Sequence, residues 1–183
     1  WNNGILFPSP NGSSNSKSFI SFMLISCNCT FSSILITGTI DEILELNKKS
    51  NTHNIFMLLG YPVVSFSKRR LVSNCGFREN IIINEPVSKQ KYMVKENSDG
   101  TTFKYDSIRN NASCLEKIVD SGLDYVYLIE DDINHDDFIL GLEWTRNVLD
   151  KKMDYCDYVS SMRNLFKGDT GFLFRKTIYR VKK

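Results

Sequence analysis

Chemistry is concentrated between Glu130 and Asp137, where Glu130, Asp131, Asp132, His135, Asp136 and Asp137 fill six of eight positions with carboxylate or imidazole side chains. Three consecutive carboxylates repel one another unless something positive joins them. A divalent cation with oxygen ligands answers that need. Mg²⁺ and Mn²⁺ commonly bridge carboxylates to substrate phosphates. The triplet Glu130-Asp131-Asp132 directly follows Tyr125–Ile129, a β-branched and aromatic run that reads as a strand buried on both faces. A strand of that kind would hold the triplet rigidly. Plainer readings stand beside this one. Asp136 and Asp137 suit the cap of a following helix, His135 suits a surface loop, and the triplet itself suits a solvated turn. Asp132, Asn134, Asp136 and Glu143 also copy the ligand spacing of an EF-hand loop. That reading is set aside because Asp137 occupies the place where the sharp turn needs Gly, and no helical periodicity precedes the loop.

The strand Tyr125–Ile129 running into Glu130-Asp131-Asp132, with a helix opening at Asp137-Phe138, resembles the DxD-type metal motif of GT-A nucleotide-sugar glycosyltransferases. The Glu-Asp-Asp form is similar to that of N-acetylglucosaminyltransferase I-like enzymes. Upstream, Arg109-Asn110-Asn111-Ala112 is similar to an Arg-Asn pair of family 2 glycosyltransferases. Downstream, Gly168 to Lys176 is similar to the glycine, strand and arginine segment that lines their acceptor side. The resemblance covers roughly residues 34–180.

The resemblance implies a GT-A-like three-layer α/β/α fold with a mostly parallel central sheet, and a metal-dependent transfer of sugar from a nucleotide-diphosphate donor. It implies Asp132 as ligand of Mn²⁺ or Mg²⁺, with Glu130 and Asp131 near the ribose and Arg109 and Asn110 on the donor side. The acceptor, whether glycan, protein or lipid, is left open. An inverting enzyme needs a carboxylate base near the acceptor hydroxyl. Family 2 relatives keep theirs beyond the arginine segment, whereas this sequence stops at Lys183. Asp169 is the substitute, although the glycines around it also suit a simple turn. A catalytic domain truncated at its C-terminus is one expectation. The strand and loop that should hold the nucleoside base have no clear counterpart. Arg175, Lys176, Arg180, Lys182 and Lys183 either steer anionic donors or solvate a helix.

Two other functions fit the same acidic cluster. A phosphoryl- or nucleotidyl-transfer enzyme would need further carboxylates converging from other strands. A non-catalytic α/β binding module would leave the triplet as a solvated loop. Walker, nucleophile-elbow and Rossmann glycine motifs are absent from the sequence. The five cysteines, Cys27, Cys29, Cys75, Cys114 and Cys156, form no CxxC pair and read as free buried thiols. Asn11, Asn28 and Asn111 head glycosylation sequons that matter only in a secretory compartment.

The elements expected to position this chemistry alternate. Residues 1–18, rich in Asn, Ser, Gly and Pro, read as a loose leader, and residues 19–183 as a single domain. Strands are expected at 19–26, 34–36, 55–59, 81–83, 125–129, 155–159 and 172–174. Thr39 and Glu42 have capping-box spacing ahead of a helix of about ten residues. Further helices are expected at 106–119, capped by Asp106 or Ser107, and at 137–150, capped by Asp136 or Asp137. Residues 88–103 are polar, with a turn signal at Asn97-Ser98-Asp99-Gly100. The phase of alternation argues for an α/β fold whose ligand site lies beyond the carboxyl ends of the strands.

The bulk composition permits this. With 183 residues, 42% hydrophobic and 24% charged, the chain can bury a core and is not a disordered one. A net charge of +2 argues against general nucleic-acid binding. The most apolar early stretch, Phe19 to Ile36, is broken by Asn28 and Ser/Thr residues and reads as a poor membrane span.

Overall fold

The computed structural model describes residues 4–8, 32–33, 39–49 and 54–175. They divide into two compact units, one built from the segments up to Gly60 and from Arg109 onward, the other from Tyr61–Ile108.

The first unit is a five-stranded mixed sheet with helices. Its strands are β1 (Gly4–Pro8), β2 (Ser32–Ser33), β3 (Asn54–Gly60), β8 (Arg109–Asn110) and β9 (Tyr125–Ile129). The order is β1-β9-β3-β2, with β8 on the end of β3. β3 is parallel to both β9 and β2, while β1 runs antiparallel to β9 and β8 antiparallel to β3. β3 is buried at every position, as its apolar run Ile55–Leu59 requires. Phe56, Met57, Leu58, Val126 and Leu128 form the centre of the core. At the amino ends of the parallel pair, the buried Asp124 carboxylate accepts a hydrogen bond from the Asn54 amide at 3.0 Å and holds the register of β3 against β9.

Four helices belong to this unit. In α1 (Ile40–Lys49), the capping box forms as expected: Thr39 N–H donates to Glu42 Oε2 at 2.7 Å and Glu42 N–H donates to Thr39 Oγ1 at 3.3 Å. A 3₁₀ turn at Ala112–Cys114 leads into α3 (Leu115–Asp120). α4 (His135–Leu149) and α5 (Tyr155–Leu165) pack together through Phe138, Thr145, Tyr158 and Met162, all buried. Thr145 Oγ1 and the Tyr158 hydroxyl lie 3.2 Å apart inside that contact.

The second unit is a four-stranded antiparallel sheet of order β4-β7-β6-β5, with a single turn of helix, α2 (Leu71–Asn74). Its strands are β4 (Val63–Ser67), β5 (Ile81–Asn84), β6 (Lys91–Asn97) and β7 (Gly100–Tyr105). The β6–β7 hairpin turns where the sequence signalled it. Asn97 Oδ1 accepts from Asp99 N–H at 2.9 Å and Gly100 N–H at 3.2 Å. Glu96 ties α2 to the sheet by accepting from Val72 N–H at 2.8 Å and from the Ser73 hydroxyl at 2.6 Å.

The expected three-layer α/β/α fold with a mostly parallel central sheet is therefore corrected. Only β2, β3 and β9 run parallel, β1 and β8 pair antiparallel, and the second sheet is antiparallel throughout. The reason lies in residues 61–108, whose strands carry polar or exposed side chains and so lack the long apolar runs that mark buried strands.

Other expectations are corrected locally. The helix expected over 106–119 is broken into β8, a 3₁₀ turn and α3. The 155–159 strand is the start of α5, where Asp154 caps by accepting from Cys156 N–H at 2.7 Å and Asp157 N–H at 3.3 Å. The 172–174 strand is a turn, with Leu173 N–H donating to the Thr170 carbonyl at 3.3 Å. The cap of α4 is Asn134, ahead of the acidic residues nominated for it. The strands expected at 19–26 and 34–36 lie outside the described residues, and within the expected leader residues 4–8 form β1. Among the described residues no helix is long and apolar enough to cross a membrane.

Candidate functional site at the carboxyl ends of β3 and β9

The parallel pair ends at Gly60 on β3 and Ile129 on β9. Gly60 has φ +141°, and a Cβ there would stand 2.8 Å from the Ile129 Cβ, so only glycine allows the two strand ends to close this tightly. Arg109 is in register with Gly60 across the antiparallel β3–β8 pairing. The end of β9, the end of β3 and Arg109 thus share one edge of the sheet.

Beyond Ile129 the chain turns at once. Ile133 N–H donates to the Glu130 carbonyl at 2.8 Å, closing a β-turn with Asp131 and Asp132 at its centre. Asp132 has φ +69°, a left-handed conformation that aspartate tolerates better than most residues. This geometry places Asp132 at an exposed corner and Glu130 and Asp131 half-buried beneath it. Glu130 Oε1 lies 2.6 Å from His135 Nδ1. The hydrogen bond to Glu130, and then its charge, raises the pKa of the exposed His135 imidazole above the usual 6.5. Asn134 Oδ1 is occupied in accepting from Asp136 N–H at 3.0 Å and Asp137 N–H at 3.2 Å, which removes it from any EF-hand-like ligand set.

The Arg109–Asn111 segment binds the unit together. Asn110 donates its side-chain amide to the carbonyls of Met162 (2.8 Å) and Phe166 (3.0 Å), which secures the C-terminal end of α5. Asn111 donates through Nδ2 to the Met57 carbonyl at 2.9 Å and is fully buried, so its sequon is closed to glycosylation in the folded chain. Its Oδ1 has no partner among the described residues. The backbone of this segment bonds outward and not along a helix: Asn110 N–H donates to the Asp169 carbonyl at 3.0 Å and Asn111 N–H to the Leu58 carbonyl at 2.8 Å. Asn11 and Asn28 lie outside the described residues.

Arg109 is 6% exposed, and its guanidinium Nη1 pairs with Asp169 Oδ1. Asp169 itself is half out in solvent, with its side chain 52% exposed. The same Oδ1 accepts from Gly171 N–H at 2.7 Å, and the Asp169 carbonyl accepts from Asn110 N–H at 3.0 Å. Gly171 has φ +61°, and a Cβ there would meet the Arg109 guanidinium at 3.1 Å. The loop closes over the cation because Gly171 has no side chain. Leu173, fully buried, completes the attachment, its carbonyl accepting from Ile40 N–H at 2.9 Å.

The structure brings Arg109 and Asp169 into contact and puts Glu130, Asp131 and Asp132 in one turn beyond the neighbouring strand end. It places the Asn110 amide in the interior, on α5. The sequence pattern did not single out Gly60 or the Glu130–His135 pair as parts of one edge. The Gly168-Asp169-Thr170-Gly171 spelling was the available signal for the loop over Arg109. Among the described residues no three His, Cys, Asp or Glu side chains converge closely enough to hold a metal by themselves. Of the cysteines, Cys114 is buried, with its thiol pushed up to about 11 by desolvation, whereas Cys75 and Cys156 are exposed, which corrects the expectation of buried thiols. Cys27 and Cys29 lie outside the described residues. A cavity of about 480 Å³ lined by Leu115, Val119, Val148, Leu149, Lys151 and Tyr155 includes none of the acidic turn.

Comparisons with protein-family models, curated proteins and solved structures give no match.

Proposed function

We propose that the chain is a metal-dependent glycosyltransferase that moves a sugar from a nucleoside-diphosphate donor to an acceptor hydroxyl. One observation carries the reading: the acidic turn Glu130–Ile133 and the Arg109–Asp169 pair flank the same carboxyl edge of the parallel strands β3 and β9. Ligands of open α/β sheets bind at such edges.

The turn fits a cation that takes few protein ligands. Mg²⁺ keeps several waters and is held by one or two carboxylates together with substrate phosphates. Asp132, at the exposed corner, is the carboxylate for that role, with Asp131 behind it. The cation would neutralise charge on the departing diphosphate. Glu130, drawn to His135, supports the turn from below, and its contact with the ribose is the expectation carried from the family resemblance. Asp169 is the candidate base. It would take the acceptor hydroxyl's proton as the acceptor oxygen bonds to the anomeric carbon and the bond to the diphosphate breaks. Asn110 contributes by holding α5 and β8 in place.

The test is calorimetric titration of UDP and of GDP, with and without Mn²⁺, into the chain and into Asp132→Ala. Binding is expected to need the cation and to weaken at least about tenfold in the variant, the scale of one charged contact. Equal affinity with and without Mn²⁺, or an unaffected variant, overturns the assignment.

A further inference from the structure

We infer that the outer edge of β5 pairs antiparallel with the same edge of a second copy of this chain, about a two-fold axis through Ile82, and so joins two four-stranded sheets into one of eight strands. The contact lies within Tyr61–Ile108 and draws on no residue of the acidic turn or of the Arg109–Asp169 pair.

β5 is the last strand of its sheet and has no strand on its outer side among the described residues. Its backbone groups alternate in direction, as in any antiparallel ladder. Glu85 N–H turns inward to the Gln90 carbonyl at 2.8 Å. The carbonyl of Lys91, which lies opposite Asn84, is taken by Asp106 N–H at 3.3 Å from the β7 side. Ile81 and Ile83 therefore bond inward to β6, while the N–H and carbonyl of Ile82 and Asn84 point out of the sheet. Edge strands normally carry a device against further pairing. β4, at the opposite edge, has Pro62 before it, an irregular register between Val63 and Ser65, and Lys68-Arg69-Arg70 after it. β5 carries no such device. Ile81-Ile82-Ile83-Asn84 is regular in register, uncharged and rich in strand-forming residues, with Ile82 65% and Ile83 40% exposed.

The residues of the edge select a second copy as its occupant. Glu79-Asn80-Ile81-Ile82-Ile83-Asn84-Glu85 reads the same in both directions. Two antiparallel copies centred on Ile82 set Ile82 opposite Ile82, Ile81 opposite Ile83 and Asn80 opposite Asn84, the self-complementary contact that two-fold symmetry demands. Because Ile82 directs its backbone outward, the central pair exchanges two hydrogen bonds across the axis. Within the sheet Met93 lies opposite Ile82, Val94 opposite Ile81 and Tyr92 opposite Ile83. One face thus gains an apolar row running from Met93 through both Ile82 side chains to Met93 of the second copy. The other face continues Val94 and Ile81 into Ile83 and Tyr92 of the second copy. Moving the axis by one residue in either direction sets an isoleucine against Glu79 or Glu85, which fixes the register. At each end Glu79 meets Glu85 and opposes the pairing. The strand is also short, and its contact falls below the roughly 1,200 Å² of a standard interface. The dimer is therefore weak and reversible.

The experiment is sedimentation velocity of the whole chain from roughly 5 to 500 μM, the range in which a contact of this size associates. A monomer–dimer equilibrium that stops at two copies is expected, since the two-fold contact uses up the edge. Ile82→Lys, at an exposed position, sets like charges opposite each other on the axis and is expected to leave the chain monomeric throughout. Asn84→Pro keeps all three isoleucines, removes an outward N–H, and is expected to weaken association at least about tenfold. Val64→Ser removes exposed apolar surface from β4 and is expected to change nothing. In the unaltered chain, hydrogen exchange at the amides of Ile82 and Asn84 is expected to slow as concentration rises, while exchange in β4 stays the same. That measurement tests the pairing even if a variant fails to fold. A chain that is monomeric at the highest concentration overturns the inference and leaves the edge to a strand of another protein. Growth beyond the dimer, a dimer untouched by Ile82→Lys or Asn84→Pro, an equal loss in Val64→Ser, or concentration-dependent protection in β4 and not in β5 would each overturn it as well.

Discussion

At the residue scale, the arrangement depends on which polar groups are already engaged. Glu130 is bound to His135, Asn134 to two helix amides, and Asn110 to the end of α5. Each of these could be named from the sequence as a polar residue near the acidic cluster, but none announced its partner there. Partnership is a property of where the chain returns, and Asn110 finds Met162 across fifty-two positions of sequence. The Glu130–His135 pair has a measurable consequence. The folded pKa of His135 is raised, so the stabilisation it contributes is full below the ordinary value of 6.5 and is lost as pH rises through the elevated folded value. Nuclear magnetic resonance of the imidazole should show a titration midpoint above 6.5 that falls back toward it in Glu130→Gln. A midpoint unmoved by that substitution would mean that the 2.6 Å contact does not persist in solution.

At the element scale, helix starts decide how the site is aimed. α4 begins one turn after the acidic corner because Asn134, in extended conformation, accepts from the amides of Asp136 and Asp137. The sequence reading chose those two aspartates as the cap, since all three residue types serve in that role and nothing local ranks them. They lie inside the first turn, where carboxylates favour the positive end of the helix. Asn134→Ala should therefore cost about 1 kcal/mol, seen as a fall in thermal midpoint of about 2–4 °C. Asp136→Ala, which leaves the cap in place, should change the midpoint by less than half as much. Equal falls would return the cap to the aspartate. α5 illustrates the same ambiguity. Tyr155-Cys156-Asp157-Tyr158-Val159 is a short run of aromatic and β-branched residues that reads as a strand, yet it opens a helix capped by Asp154. The strand Tyr125–Ile129 and the capped helix Ile40–Lys49 were legible because apolar pattern, propensity and end signals agreed there.

At the scale of the whole molecule, burial differs sharply between the two sheets. β3 is buried along its length, whereas β4 is exposed at four of its five positions. Hydrogen exchange followed by mass spectrometry should find the amides of β3 and β9 protected about a hundredfold or more beyond those of β4. Similar protection would mean that the first unit's core opens as readily as the second unit's edge. The amino-acid sequence by itself determined the apolar strands around which the first unit is built, the capping box of α1, the hairpin turn at Asn97–Gly100, and the acidic segment placed directly after a buried strand. These are set by interactions between residues close together in the chain, where side-chain periodicity and turn chemistry act without outside help. Only the tertiary structure decided the direction of each strand, the division into a mixed and an antiparallel sheet, the breaking of the 106–119 segment, and the meeting of Arg109 with Asp169. Those outcomes come from hydrogen bonds and ion pairs between segments distant in the chain, such as Gly4 with Ile129 and Arg109 with Asp169, whose free energy exists only once the chain has closed on itself and expelled water from between them.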